Sequence, residues 1–175
     1  IKRIKDADVC NSIEITTNAS LLNKETAQKL VDYGLDTLRV SVYGVSEEKQ
    51  MSVTQSKVPA SQIFENVTYI QEYKKKKCSD KPVVYAKMLQ THTDEDDKFL
   101  EKYNGIADHA GLDEAFELTS GDTDAFVNLF GDDTASEAHK ASLDSNLFKN
   151  RQVCRYPFTH MTVRSNGTVI VCCAD

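Results

Sequence analysis

The feature that most constrains this chain is a regular alternation, from Ser12 to Thr119, of short β-branched runs with amphipathic stretches. Ser12-Ile13-Glu14-Ile15-Thr16-Thr17 reads as a strand and stops at the turn residues Asn18 and Ser20. Asn23 then caps a helix from about Lys24 to Tyr33. Its Ala27, Leu30 and Val31 share one face, and Gly34 occupies the position just past its end. Leu38 to Val42 is the next strand, followed by a loop around Gly44 and Ser46. The sequence predicts a longer helix capped by Ser61, with Ile63, Val67 and Ile70 in one apolar stripe beside Phe64 and Tyr73.

Pro82 precedes a third strand, Val83 to Leu89. Thr93, with Asp96 three residues on, has the form of a capping box opening a helix through Phe99, Leu100, Tyr103 and Ile106. Gly111 is expected to end that helix, and Ala115 to Thr119 to form a fourth strand. Crossovers of this length join parallel strands, so the fold class is α/β, with helices packed outside a parallel sheet. Half a barrel and a small open sheet both satisfy the pattern.

From Ser120 to Val153 the periodicity fades into Gly, Asp, Ser and Asn, with at most a short helix around Ala135 to Leu143, so 120–153 reads as a connecting segment. Order returns in two alternating runs, Met161 to Ser165 and Thr168 to Cys172, around Asn166-Gly167, the strongest short signal for a hairpin. A two-residue turn there sets Ser165 opposite Thr168, Val163 opposite Ile170 and Met161 opposite Cys172. Cys172 then shares a face with Met161 and Val163, and Cys173 points the other way.

Charge excludes some partners. A net charge of -6 leaves no basic footprint for nucleic acid or an anionic membrane, and the run Lys74 to Lys77 suits a helix end. No apolar stretch approaches a membrane span. The opening Ile1-Lys2-Arg3-Ile4 resembles neither a signal peptide nor a translation start, so the chain is expected to be part of something longer. Five cysteines, an odd number without regular spacing, fit a reducing cytoplasm better than a disulfide framework. The three glycosylation sequons are then chance matches.

In parallel α/β folds the chemistry gathers at the carboxyl ends of the strands. Here those ends carry Asn18, Ser41 and the segment Lys87 to Gln90. As side chains alone, Asn18 can simply end a strand, Ser41 can pack within one, and Lys87 can lie on a wet face. Cys154, Cys172 and Cys173, grouped around a hairpin, can hold a soft metal as thiolates. The four histidines lack metal spacing; only His160 lies near cysteines.

The segment Ile15-Thr16-Thr17-Asn18-Ala19-Ser20-Leu21-Leu22, a helix ending at Tyr33-Gly34-Leu35-Asp36, and Leu38-Arg39-Val40-Ser41-Val42-Tyr43-Gly44 together resemble the barrel of radical S-adenosylmethionine enzymes. Relatives have glycine at the position of Ala19 and commonly aspartate at that of Tyr43. The tail resembles the start of a SPASM auxiliary iron-sulfur domain, whose spacing Cys154, Gly167 and Cys172 satisfy. The resemblance implies a partial TIM-like (β/α) barrel over 1–119 and the opening of a SPASM domain over 154–175. It further implies that Asn18, Ser41 and Lys87 lie where relatives bind S-adenosylmethionine, and that Cys154 and Cys172, with Cys173 beside them, lie where relatives hold an auxiliary 4Fe-4S cluster.

The whole enzyme would cleave S-adenosylmethionine to a 5′-deoxyadenosyl radical that abstracts hydrogen from a small-molecule or peptide substrate. This chain carries no C-x3-C-x2-C motif and no Gly-Gly-Glu segment, so by itself it is expected to be inactive. Exposed barrel edges would favour self-association. Two other readings compete: a non-enzymatic α/β binding module, and a zinc-stabilised domain using Cys154, Cys172 and Cys173 as ligands, with His160 as a further candidate.

Overall fold

A computed structural model describes residues 1–113, 156–164 and 166–170. The chain divides into two compact units, 1–114 and 115–175.

The first unit opens with a short helix, α1 (Lys2–Ala7), then alternates: β1 (Glu14–Thr17), α2 (Lys24–Asp32), β2 (Thr37–Val42), α3 (Glu47–Thr54), α4 (Ala60–Lys76), β3 (Val83–Leu89), α5 (Asp94–Asn104) and β4 (His109–Asp113). The four strands form one parallel sheet whose spatial order, β1-β2-β3-β4, is the order of the chain. The α/β class and the parallel sheet are therefore as the alternation implies.

Period-two alternation explains the two faces of the sheet. Leu38, Val40, Val42, Val84, Ala86 and Met88 point to one side and are buried. Against them pack Ala27, Leu30 and Val31 of α2, Ile63, Val67 and Ile70 of α4, and Phe99 and Tyr103 of α5, in one continuous core. The intervening residues, among them Arg39, Ser41, Tyr85 and Lys87, point to the opposite side, where none is buried. All the described helices of the core thus cover a single face.

Local chemistry sets the helix limits. Asn23 Oδ1 accepts from the Thr26 N–H at 2.8 Å, and Gly34 adopts a left-handed φ of 68° after α2, both as the sequence predicts. The start of α4 differs. Ser61 is not its cap: Pro59 holds that position and offers no side-chain bond, and the first-turn N–H groups of Ala60 and Ser61 donate instead to the Glu47 carboxylate at 2.6 and 3.0 Å. A carboxylate from the preceding helix satisfies the donors that a local cap would otherwise take.

At α5, Thr93 caps by accepting from Glu95 N–H at 3.3 Å. Asp96 reaches past the cap residue to the N–H groups of Thr91 and His92 and so braces the loop that leaves β3. The next strand, β4, begins at His109, earlier in the chain than the sequence predicts any strand there. Gly111 lies inside β4 rather than ending a helix, and the predicted strand Ala115–Thr119 falls outside the described residues, as does the predicted helix around Ala135–Leu143.

In the second unit the described elements are α6 (Tyr156–Thr159), β5 (Thr162–Val163) and β6 (Val169–Ile170), the strands antiparallel. The hairpin exists, but its register is one residue away from that of a two-residue turn. Val163 faces Val169, Thr162 faces Ile170, and Arg164 rather than Ser165 pairs with Thr168 through a 2.9 Å bond. Gly167, at φ 85°, closes a three-residue connection, and Asn166 Oδ1 accepts from Thr168 N–H and Oγ1. The count that set Met161 across from Cys172 began from the Ser165–Thr168 pair; Cys172 itself lies outside the described residues.

Candidate functional site

The amino ends of the strands are tied together by saturated carboxylates. Asp36, just before β2, accepts from Lys5 Nζ, from Lys81 Nζ at 2.6 Å and from Ile13 N–H at 2.8 Å. The Lys5 and Lys81 ammoniums and the Ile13 N–H outweigh its burial and hold its carboxyl well below the usual range. Asp108, just before β4, accepts from Lys74 Nζ at 2.6 Å, Val84 N–H at 2.7 Å and Gln71 Nε2 at 3.0 Å. Burial alone would push Asp108 up, but these donors prevail and hold it below its ordinary value. Lys74 is only 4% exposed, so this pair is a structural bond inside the fold.

The open face and the carboxyl ends are arranged differently. Across the sheet at one level stand Ser41, Lys87 and Gly111, in direct register. Asn18 follows Thr17, the partner of Val40, and so begins the β1 loop at the level of Ser41. The three residues picked out from the sequence as ligand contacts are thus brought to one end of the sheet. Lys87 Nζ bonds Asp113 Oδ2 at 2.7 Å. One level nearer the amino end, Arg39 lies over the Tyr85 ring at 5.8 Å and pairs with Glu14 at 3.2 Å, and Tyr85 faces His109 with ring centroids 6.4 Å apart.

Two glycines and one alanine explain how this end is shaped. A Cβ on Gly111 would stand 2.4 Å from the Tyr85 hydroxyl, so the glycine opens the notch across which that ring lies. A Cβ on Gly44 would meet Gln50 N at 2.6 Å, because the first turn of α3 sits directly on it. Ala19 takes a left-handed φ of 57° while fully buried. Asn18 holds that turn, its Oδ1 accepting from Ser20 N–H at 3.1 Å and Ser20 Oγ at 2.7 Å. This bonding gives Asn18 a structural task independent of any ligand.

Arg39, Tyr85, His109, Gly111 and Asp113 were missed as site residues in the sequence. Their signal was present for β2 and β3, where Arg39 and Ser41, then Tyr85 and Lys87, alternate with apolar neighbours. A second concavity, an open groove of 560 Å³ lined by Val45, Ser46, Phe64, Glu95, Lys98, Glu101 and Lys102, has its main polar groups engaged. Glu95 accepts from Val45 N–H at 2.9 Å, and Lys102 lies over the Phe64 ring at 4.9 Å.

Cys154, Cys172 and Cys173 lie outside the described residues. His160 Nδ1 is 2.7 Å from Thr159 Oγ1. Among the described residues no group of three or more His, Cys, Asp or Glu side chains is placed to hold a metal, and Cys10 and Cys78 are exposed free thiols. No helix among them is long and apolar enough to cross a membrane. No family model, curated protein or solved structure matches this chain.

Proposed function

We propose that this chain belongs to a radical S-adenosylmethionine enzyme, supplying a run of (β/α) units of a partial TIM-like barrel and, from residue 154, the opening of a SPASM domain. The observation that carries the reading is the shared level of Asn18, Ser41 and Lys87 at the carboxyl ends of a sheet wound in sequential order with its helices on one face. Such winding is what a barrel requires, and its ligands collect at that end. The left-handed backbone at Ala19 adds support, because the resembled family has glycine there and glycine suits that conformation.

In the whole enzyme a reduced four-iron cluster with S-adenosylmethionine would supply a 5′-deoxyadenosyl radical for hydrogen abstraction from a small-molecule or peptide substrate. The described residues suit the S-adenosylmethionine half of that chemistry: the Ser41 hydroxyl and the spare donors of Lys87 can orient a polar ligand. They do not suit the catalytic cluster, since the sequence has no C-x3-C-x2-C. Cys154 and Cys172, with Cys173, would serve an auxiliary cluster, and such chemistry belongs in a reducing cytoplasm. Association with another chain through the edges of the sheet follows from the same reading.

The test compares this chain with the longer gene product, both reconstituted anaerobically with iron and sulfide. The longer protein is expected to form 5′-deoxyadenosine on reduction, and the 175-residue chain none. A longer protein that binds zinc in place of iron, or that makes no deoxyadenosine, defeats the reading.

A further inference from the structure

Asn-Gly, a dipeptide prone to cyclise on itself, occurs twice in the chain, as Asn104-Gly105 and Asn166-Gly167. The reaction is attack of the glycine amide nitrogen on the asparagine side-chain carbonyl carbon, and glycine permits it because no Cβ blocks the approach. The two pairs stand in opposite settings. Asn104 is the last residue of α5, and Gly105 continues right-handed backbone at φ -78°. The five-membered ring needs its atoms close to one plane, which helical backbone resists. Among the described residues no donor meets the Asn104 side chain.

Asn166 lies in the exposed turn between β5 and β6. Its Oδ1 already accepts from Thr168 N–H at 3.0 Å and from Thr168 Oγ1 at 2.8 Å. These donors draw electron density from the carbonyl carbon and stand where negative charge gathers on that oxygen during attack, as in an oxyanion hole. They also fold the side chain back over its own main chain, beside the Gly167 nitrogen. One contact opposes the reaction: Gly167 N–H donates to Arg164 O at 2.9 Å. That bond closes an exposed turn between strands of two residues each, so it opens readily.

We propose that Asn166 is a self-modifying site, which the turn around it converts to aspartate and isoaspartate. The Gly167 nitrogen gives up its proton and bonds to Asn166 Cγ, the Cγ–Nδ2 bond breaks, and Nδ2 leaves as ammonia. The product is a succinimide. Water then opens the ring, at Cγ to give aspartate or at the main-chain carbonyl carbon to give isoaspartate, with no oxidant or reductant. Either product adds a negative charge to the turn. Isoaspartate also routes the main chain through the side-chain methylene and so lengthens the connection that sets Val163 across from Val169.

This inference stands on the hairpin alone and extends beyond the radical reading. The full 175-residue chain would be held in warm, mildly alkaline buffer, folded or in urea, and both Asn-Gly peptides followed by chromatography and mass spectrometry. In the folded chain Asn166 is expected to convert at least about tenfold faster than Asn104. In urea, where both settings are lost, the two rates should agree within about twofold. Thr168→Val removes the hydroxyl donor and keeps the N–H, so it should slow conversion of Asn166 about fivefold in the folded chain and leave the urea rate unchanged. Thr168→Ser, which keeps both donors, should retain the original rate.

Equal rates at the two sites in the folded chain, a lead for Asn166 that persists undiminished in urea, or a folded Thr168→Val rate equal to the original overturns the proposal. None of these readings depends on deoxyadenosine formation, so this site and the radical reading fail independently.

Discussion

The two ends of the parallel sheet use carboxylates in opposite ways. At the amino end, Asp36 and Asp108 bind strands, loops and helices together and keep little capacity in reserve. At the carboxyl end, among the described residues, the Asp113 carboxylate accepts from Lys87 alone. Polarity in this sheet therefore has two origins: one set of charges is required for the chain to fold, and the other is tolerated because none of the described helices packs on that face.

Removal of a carboxylate should break the comparison most sharply. Asp108→Ala leaves the Lys74 ammonium, 4% exposed, with no charge partner, and should destabilise the protein by about 3–5 kcal/mol in urea unfolding. A loss under about 1 kcal/mol would mean that Lys74 escapes to water and that the two ends are alike.

The glycines come next. Gly44→Ala drives a Cβ into the backbone of α3 and should cost about 2–3 kcal/mol. Gly111→Ala meets only the tip of a side chain and should cost about 1 kcal/mol, part of which returns when Tyr85→Phe is added. The same cost with and without Tyr85→Phe would show that the ring does not fill the notch.

Acid should sharpen the contrast. Asp36 and Asp108 both lie below their ordinary value of 3.8 in the folded protein. Groups of this kind add stability that is complete above the unfolded value and is lost as the pH falls toward the depressed one. Urea midpoints should therefore stay level from neutral pH to about pH 5 and fall below about pH 4, and Asp36→Asn should flatten that fall. An unchanged acid profile in that variant would remove Asp36 from the account.

The smallest expected effect lies on the open face, where Lys87→Met and Asp113→Asn should each change stability by less than about 1 kcal/mol. A larger loss would place this pair with the structural bonds of the amino end.

Where local chemistry decided the outcome, the sequence was readable. The Asn23 cap, Gly34 after α2, and the stripe Ile63, Val67 and Ile70 stand as read, because each rests on a backbone rule or a period that neighbours cannot easily override. The short α3 was missed: Gln50 is its one buried residue, so it has no apolar stripe to detect. Strand β4, His-Ala-Gly-Leu-Asp, lacks β-branched residues and owes its state to pairing with β3, so the sequence carries little signal for it. With β4 unread, Asp113 could not be recognised as the partner of Lys87. The hairpin register slipped for a related reason. Asn-Gly marks a turn but not its length, and the bonds between Asn166 and Thr168 favour the three-residue form.

The Glu47 cap has a consequence for how the molecule opens. Because the first amides of α4 are satisfied by a side chain anchored in α3, they should exchange with solvent only as often as α3 lets go. The amides of Ala60 and Ser61 thus report the opening rate of a different helix, and α3 and the start of α4 should behave as one exchange unit despite the turn between them.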